Sequence, residues 1–188
     1  MRIAITGGIA SGKSTIVQML RERGISTLSA DALAGDVLWN SDVQAQLMSH
    51  FATDEPVSPV VLKNLLQQSH EDRRAINRIM HPAIAIEIEQ ASAVAIEIPL
   101  LFETCLQVTF QSIWVASCTK ATQTERLRLR YGGIENLDRI SWQLDSKVAH
   151  AFADSVIPTD GSKEETLVTL LQEAKRWGLT LAVSDDFS

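Results

Sequence analysis

The residues of this chain best suited to chemistry are a run of glycines followed by a lysine and a serine. Residues 7–14 read Gly-Gly-Ile-Ala-Ser-Gly-Lys-Ser and match the pattern Gly-x-x-x-x-Gly-Lys-Ser/Thr. In such a loop, backbone N–H groups and the positive end of the following helix surround a polyphosphate. The lysine reaches the β- and γ-phosphates, and the next hydroxyl binds Mg²⁺. The pattern predicts that ATP or a similar triphosphate contacts Gly8, Ile9, Ala10, Ser11, Gly12, Lys13, Ser14 and Thr15, with Ser14 as the ligand of Mg²⁺.

A β-type run and a helical pattern flank this loop, as the chemistry requires. Residues 2–6 form the run, and residues 14–20 place Ile16, Met19 and Leu20 on one face of a helix. A glycine-rich turn that matches the pattern by chance is the alternative. The flanking strand and helix argue against it.

Two carboxylates follow predicted strands. Asp31 comes shortly after the strand at residues 25–28, and ligands of open α/β sheets bind beyond the carboxyl ends of the strands. A carboxylate there can accept the proton of an attacking hydroxyl, although Asp31 could instead be the N-cap of a helix over residues 32–34. Glu97 ends a later apolar run, where it is either a metal-site carboxylate or a polar residue at a strand end.

Three arginines lie on a predicted helix over residues 121–130. Arg126 and Arg130 are four residues apart and therefore share one face, with Arg128 between them in the sequence. These residues form either a solvated basic face or a set of cations placed over the transferred phosphates. Because Gly132 and Gly133 provide a turn beyond the helix, the segment is also predicted to act as a lid.

Composition limits the function further. The 188 residues carry a net charge of −6, which argues against a general binder of nucleic acid or membrane surfaces. We find neither a signal peptide nor an apolar run long enough for a membrane span, so we expect a cytoplasmic protein. Cys105 and Cys118 lack metal-binding spacing and are predicted to be small core residues.

The predicted elements alternate between strands and helices, which favours an α/β fold with a parallel sheet. Strands are predicted at residues 2–6, 25–28, 94–98, 112–116 and 154–157. Between the second and third strands lies a helical block, in which Pro82 is predicted to begin a new helix. Residues 179–188 are predicted to form a tail. The closing helix before them carries an apolar stripe of Leu167, Leu170, Leu171, Ala174 and Trp177.

Taken in order, the motifs of this chain resemble those of the dephospho-coenzyme A kinase family. They are the loop at residues 6–15, Ala30-Asp31, His81-Pro82, the stretch Ile98-Pro99-Leu100-Leu101-Phe102-Glu103, the Gln123, Arg126 and Arg130 spacing, and Ala153-Asp154-Ser155-Val156-Ile157. The resemblance extends over essentially the whole chain. The His-Pro pair and the Pro-Leu-Leu-Phe-Glu stretch are its discriminating parts.

The resemblance implies a single three-layer P-loop kinase domain over residues 1–188, with a parallel five-stranded sheet, a helical substrate-binding insertion and a small lid. Residues 1–35, 92–120 and 151–178 would form the nucleotide-binding core, 36–91 the acceptor insertion and 121–150 the lid. The implied activity is phosphorylation of the ribose 3′-hydroxyl of dephospho-CoA by ATP with Mg²⁺. We expect a monomer that binds no nucleic acid and no membrane. The implied catalytic residues are Asp31, Lys13, Arg126 and Arg130, and the implied acceptor-binding residues are His81, Pro99, Leu100 and Phe102.

The chain departs from the family pattern at several positions. Ser29 replaces a usual aspartate, Thr159 replaces a frequent asparagine, and Ala10 replaces a common loop glycine, which a negative φ would permit. A basic residue expected after Gln143 is absent, with Lys147 as a possible substitute. The alternatives are another small-molecule or nucleoside monophosphate kinase, a weakly active nucleotide-binding homologue, or a nucleotide-dependent switch. The Asn-Lys-x-Asp motif of guanine-specific switches is missing.

Overall fold

The computed structural model describes residues 1–131 and 146–182, which form two compact units. One unit comprises residues 1–28 together with the described residues from 92 onward, and the other comprises residues 29–91. In chain order the elements are β1 (Ile3–Thr6), α1 (Lys13–Glu22), β2 (Thr27–Ser29), α2 (Ala30–Leu38), α3 (Ser41–Phe51), α4 (Pro59–Gln68), α5 (His70–Gln90), β3 (Ala95–Glu97), a 3-10 turn (Leu106–Thr109), β4 (Ser112–Ser117), α6 (Lys120–Tyr131), α7 (Ser146–Ala151), β5 (Ser155–Pro158) and α8 (Lys163–Arg176).

The five strands form one parallel sheet in the order β2-β3-β1-β4-β5. The central strand is β1, in which Ile3 pairs with Ala95 of β3 on one side and with Ser112 of β4 on the other. Each predicted strand is present within two residues of its predicted bounds, so the prediction of a parallel five-stranded sheet is confirmed.

Both faces of β1 are buried, as its almost continuous apolar sequence predicts. Ile3 and Ile5 lie in one cluster with Trp114, while Ala4 between them faces the opposite side and is also fully buried. Helices α1 and α8 contact each other and cover the cluster. The predicted face of α1 is confirmed, because Ile16, Met19 and Leu20 are all buried. The core fixes β1 and α1, and with them the two ends of the glycine loop.

The end of the described chain differs from the prediction of a tail. Leu179 and Leu181 pack against the core cluster, and the backbone N–H of Ala182 donates to the oxygen of Arg23 at 2.9 Å. The prediction was wrong for residues 179–182 because the two leucines bury apolar surface against this cluster. Residues 183–188 lie outside the described part. Within the α8 stripe, Leu170 and Ala174 are buried, whereas Leu171 is exposed.

The unit of residues 29–91 is helical, as predicted, and has its own core. Val43 and Leu47 of α3 are buried there. The side-chain amide of Gln44 donates to the backbone oxygens of Leu38 and Val57 and accepts from the backbone N–H of Val57, at distances of 2.8–3.0 Å. In α4, Val60 and Val61 are exposed, and the helix contacts the core through Leu62, Leu65 and Leu66.

The prediction that Pro82 begins a new helix was wrong. Pro82 lies inside α5. A proline at this position removes one backbone hydrogen bond. Ile76 and Met80 before it, and Ile88 after it, are all buried and recur at helical spacing. Burial of this face on both sides of Pro82 outweighs the lost bond, so the helix continues.

Candidate active site

The phosphate-binding loop connects β1 to α1, and its surroundings require two of its glycines. Gly7 has a φ of +140° and Gly12 a φ of +94°. A Cβ atom on Gly7 would lie 2.4 Å from the carbonyl oxygen of Ala116, and one on Gly12 would lie 2.9 Å from Thr159 Oγ1. Glycine therefore fits both positions where other residues would not, and the loop packs closely against the ends of β4 and β5.

Lys13 is the first residue of α1 and is only 8% exposed. Its Nζ donates to the carbonyl oxygens of Gly7 and Gly8, each at 2.9 Å. Ser11 Oγ is buried nearby and has no hydrogen-bond partner among residues 1–131 and 146–182. A buried ammonium and an unpartnered hydroxyl within one glycine loop fit a ligand rich in oxygen and negative charge.

Ala10 adopts a left-handed conformation with a φ of +57°. A negative φ, which would allow alanine here without strain, is therefore not what the structure has. For a residue with a Cβ atom this conformation costs roughly 1 kcal/mol or more. Because Ala10 lies in the middle of the loop, the surrounding contacts impose this backbone shape on it.

Arg126 and Arg130 lie on one face of α6, as their spacing predicts. Arg126 Nη1 donates to Thr159 Oγ1 at 3.0 Å and to the carbonyl oxygen of Ala10 at 3.4 Å, and its Nη2 donates to the carbonyl oxygen of Thr159. The alternative of a solvated basic face does not describe Arg126, whose guanidinium is bound to the loop and to the residue after β5. Arg128, which points elsewhere, is exposed.

Two cavities adjoin the loop. The larger, of about 460 Å³, brings Gly8, Ser11 and Gln123 together with Pro99 and Phe102, two of the residues predicted for the acceptor. Leu100, the third residue of that stretch, is 44% exposed and does not line this cavity. The smaller cavity, of about 240 Å³, is lined by Ser14, Thr15, Arg126, Arg130 and residues of the loop after β5.

Ser14 is the residue predicted to bind Mg²⁺. It is exposed on the first turn of α1 and lines the smaller cavity with both arginines. The described residues contain no group of three His, Cys, Asp or Glu side chains able to hold a metal ion. One hydroxyl suits Mg²⁺, which commonly takes its other ligands from phosphates and water. Glu97, the other candidate, is partly buried in β3, where it pairs with Ile5.

Asp31 and His81 belong to the unit of residues 29–91. Ser29 occupies the N-cap of α2, and Asp31 lies within the first turn of that helix. The alternative that Asp31 is the N-cap is therefore wrong, although its charge suits the positive end of the helix. His81 lies in α5, and burial lowers the pKa of its imidazole.

The two cysteines occupy different surroundings from the predicted core positions. Cys105 is exposed and has a φ of +57° before the 3-10 turn, so the prediction was wrong for this residue. Cys118 follows β4 and lines the larger cavity; burial raises the pKa of its thiol, and the nearby charge of Arg126 partly opposes this. Sequence spacing gave no sign that Cys118 belongs to the site.

Thr119 and Asp160 also escaped the sequence analysis. Asp160 Oδ1 accepts from the backbone N–H of Thr119 at 2.7 Å, and Thr119 Oγ1 in turn accepts from the N–H of Thr122 in α6. The hydrogen bond from Thr119 lowers the pKa of Asp160. Together they join the start of the arginine-bearing helix to the residues after β5. Gly132, Gly133 and Gln143 lie outside the described residues, and Lys147 lies in α7.

A strand, a glycine loop and a helix at the end of a parallel sheet, with a lysine in the loop and arginines beside it, define a P-loop kinase. Solved structures agree on this fold. A crystal structure from Thermus thermophilus matches with a TM-score of 0.80 and 26% identity, covering 94% of this chain and 97% of that one. A shikimate kinase from Acinetobacter baumannii matches the fold alone, with a TM-score of 0.58 and 11% identity, covering 94% of this chain and 93% of that one.

The sequence comparisons narrow the class. The profile of the family described as dephospho-CoA kinase matches residues 1–165. A dephospho-CoA kinase from Bacillus cereus is 33% identical, with 94% of this chain and 97% of that protein covered. One from Halalkalibacterium halodurans is 30% identical, with 94% and 96% covered. The chain belongs to the dephospho-CoA kinase family. Among the described helices, none has the length and apolar character of a membrane span.

Proposed function

We propose that this protein transfers the γ-phosphoryl group of ATP to the ribose 3′-hydroxyl of dephospho-CoA, giving CoA and ADP. This is the last step of coenzyme A synthesis. The observation that carries the proposal is the glycine loop of a dephospho-CoA kinase family member, with Lys13 buried against it and two arginines lining a cavity beside it.

Phosphoryl transfer depends mainly on positioning and on neutralising the charge of the phosphates. Lys13 Nζ is bonded to two loop carbonyls, which a triphosphate oxygen can replace as its partners. Arg126 and Arg130 supply further positive charge from α6. Ser14 would hold Mg²⁺, which would neutralise part of the negative charge on the phosphates.

For the acceptor we propose two groups of residues. Pro99 and Phe102 line the larger cavity together with the loop, which supports a place for them beside the reacting phosphate. Asp31 would orient the hydroxyl and take its proton; the support is its position two residues after β2 and the family resemblance. His81 and Leu100 remain acceptor-binding residues on the resemblance alone, as do the acceptor and lid roles of residues 36–91 and 121–150.

The experiment is a coupled assay of ADP release from ATP and Mg²⁺ with dephospho-CoA as the acceptor. The same assay is run with AMP, other nucleoside monophosphates and shikimate. Phosphorus NMR of the product identifies a 3′-phosphomonoester. Turnover with dephospho-CoA well above that with each other acceptor supports the proposal, whereas preference for a nucleotide or for shikimate would assign a different kinase activity.

A monomeric state and a cytoplasmic location belong to the same proposal, as expectations from the sequence. Light scattering coupled to size-exclusion chromatography tests the first, because a monomer of this chain has a mass of 20.7 kDa. A mass near twice that value would contradict it.

A further inference from the structure

Side chains bind every carbonyl oxygen of the phosphate-binding loop from Gly7 to Ser11. The bonds are Lys13 Nζ to Gly7 and Gly8 at 2.9 Å each, Gln123 Nε2 to Ile9 at 2.7 Å, Arg126 Nη1 to Ala10 at 3.4 Å, and Thr159 Oγ1 to Ser11 at 2.7 Å. The next carbonyl, of Gly12, accepts the first backbone bond of α1. Six consecutive carbonyl dipoles therefore each have a donor.

The direction of these carbonyls matters for an anionic ligand. A carbonyl oxygen carries partial negative charge, so one that rotated towards a triphosphate would repel it and would turn an N–H group away. Gly7, Gly12 and Ala10 of the loop have positive φ values, so its local backbone preferences alone do not prevent such a rotation. Donors that hold the carbonyls keep the loop in one shape before the ligand arrives.

The four donors differ in what else they must do. Lys13 and Arg126 are charged and are assigned to the phosphates, so their bonds to the loop compete with that role. Gln123 and Thr159 are neutral and have no such second task. They can hold the loop both with and without a bound ligand.

Thr159 is buried and connects the loop to an arginine as well. It is only 4% exposed, and its Oγ1 would lie 2.9 Å from a Cβ atom on Gly12, so its side chain touches the last turn of the loop. The hydroxyl has one proton, for which the carbonyl oxygen of Ser11 at 2.7 Å is a nearer acceptor than that of Ser117 at 3.2 Å. The hydroxyl also accepts from Arg126 Nη1 at 3.0 Å. One hydroxyl thus couples the loop to an arginine of the helix beside it.

We propose that Thr159 and Gln123 are positioning residues for ATP, which hold the loop carbonyls of Ser11 and Ile9, and that Thr159 also fixes the place of Arg126. This inference rests on the proposed use of ATP and adds residues to it.

The test compares Thr159→Val, which keeps the shape but removes the hydroxyl, with Thr159→Ser, which keeps the hydroxyl. Calorimetry measures the affinity for a non-hydrolysable ATP analogue with Mg²⁺, and steady-state kinetics measures KM for ATP and for dephospho-CoA. We expect Thr159→Val to weaken analogue binding by about tenfold and Thr159→Ser to restore most of it. KM for dephospho-CoA should remain near wild type. Thr169→Val on α8, which lies outside both cavities, is the matched control.

Two further variants keep the test decisive. Gln123→Leu removes the donor to Ile9 and should weaken analogue binding in the same way, and it replaces Thr159→Val if that variant does not fold. In a double-mutant cycle, Thr159→Val should have less effect when Arg126 is already Ala, because the hydroxyl then has one partner fewer.

Analogue affinities within about twofold of wild type for both Thr159→Val and Gln123→Leu would overturn the proposal. A wild-type protein that binds the analogue but does not phosphorylate dephospho-CoA would refute the proposed function and leave this comparison valid.

Discussion

Lys13 carries a positive charge into a loop where its ammonium donates to two backbone carbonyls, and this arrangement suits a residue whose final partner is a phosphate. We expect Lys13→Ala to reduce kcat to less than about a tenth of wild type, because the charge on the transferred group is no longer neutralised. Steady-state kinetics at saturating ATP measures the loss, with thermal unfolding as the control for folding. A variant that keeps more of the wild-type rate would remove Lys13 from the catalytic residues.

Asp31 is the residue proposed to take the proton of the acceptor hydroxyl. Asp31→Asn keeps its size but cannot accept a proton, so we expect kcat to fall by about 100-fold or more while ATP affinity stays close to wild type. Since Ser29 occupies the N-cap of α2, the loss of one charge in the first turn should cost only about 0.3–1 kcal/mol of stability. Kinetics, calorimetry with an ATP analogue and thermal unfolding measure the three quantities. An Asn variant with wild-type kcat would place the base elsewhere.

The sequence predicted the chemistry of the loop well, because its pattern is local and each residue type has a defined task. The partners of the loop could not be predicted in the same way. Thr159 and Ser11 are 148 residues apart, and the sheet brings them together. The left-handed Ala10 is a consequence of the same contacts. The sequence also placed Asp31 after a strand but could not distinguish its first-turn position from an N-cap, because helix ends vary by one or two residues.

Helix α6 presents two arginines with different surroundings, and we expect different effects from their removal. Arg126→Ala should lower kcat, raise KM for ATP and reduce thermal stability, because it also removes bonds to Ala10 and Thr159. Arg130→Ala should lower kcat with a smaller effect on stability. Exposed Arg128, replaced by Ala, is the matched control on the same helix. If kcat of the Arg126 and Arg130 variants equals that of the control, neither arginine acts on the phosphates.

The strands were predictable because buried parallel strands have almost continuous apolar sequences. The errors came where tertiary packing outweighs a local signal. Pro82 usually ends or begins a helix, yet the buried face of α5 continues through it. Residues 179–182 have no helical or strand pattern, and only the presence of the core cluster explains why Leu179 and Leu181 are packed.

The stability of the whole protein should depend on pH through His81. Burial lowers the pKa of this imidazole in the folded state, so the unfolded chain binds the proton more readily. Stability should therefore fall as the pH drops below about 6.5, the ordinary pKa of histidine, and this contribution should vanish above it. His81→Gln should show a smaller fall in Tm between about pH 7.5 and pH 5.5 than wild type. The exposed His70, replaced by Gln, is the control, and an equal fall in all three proteins would contradict the prediction.

The position of β1 at the centre of the sheet has a consequence for how the chain folds during its synthesis. β1 is made before its partners, because Ala95 and Ser112 leave the ribosome only after the whole segment of residues 29–91. The contacts that hold α2, α3 and α4 against α5 need only residues 29–91, whereas the slower pairing of β1 with distant strands needs residues beyond this segment. We expect the nascent chain to fold residues 29–91 first and to acquire the glycine loop late. Pulsed hydrogen exchange on stalled chains should then detect protection in α5 before β1, and the reverse order would contradict this sequence of events.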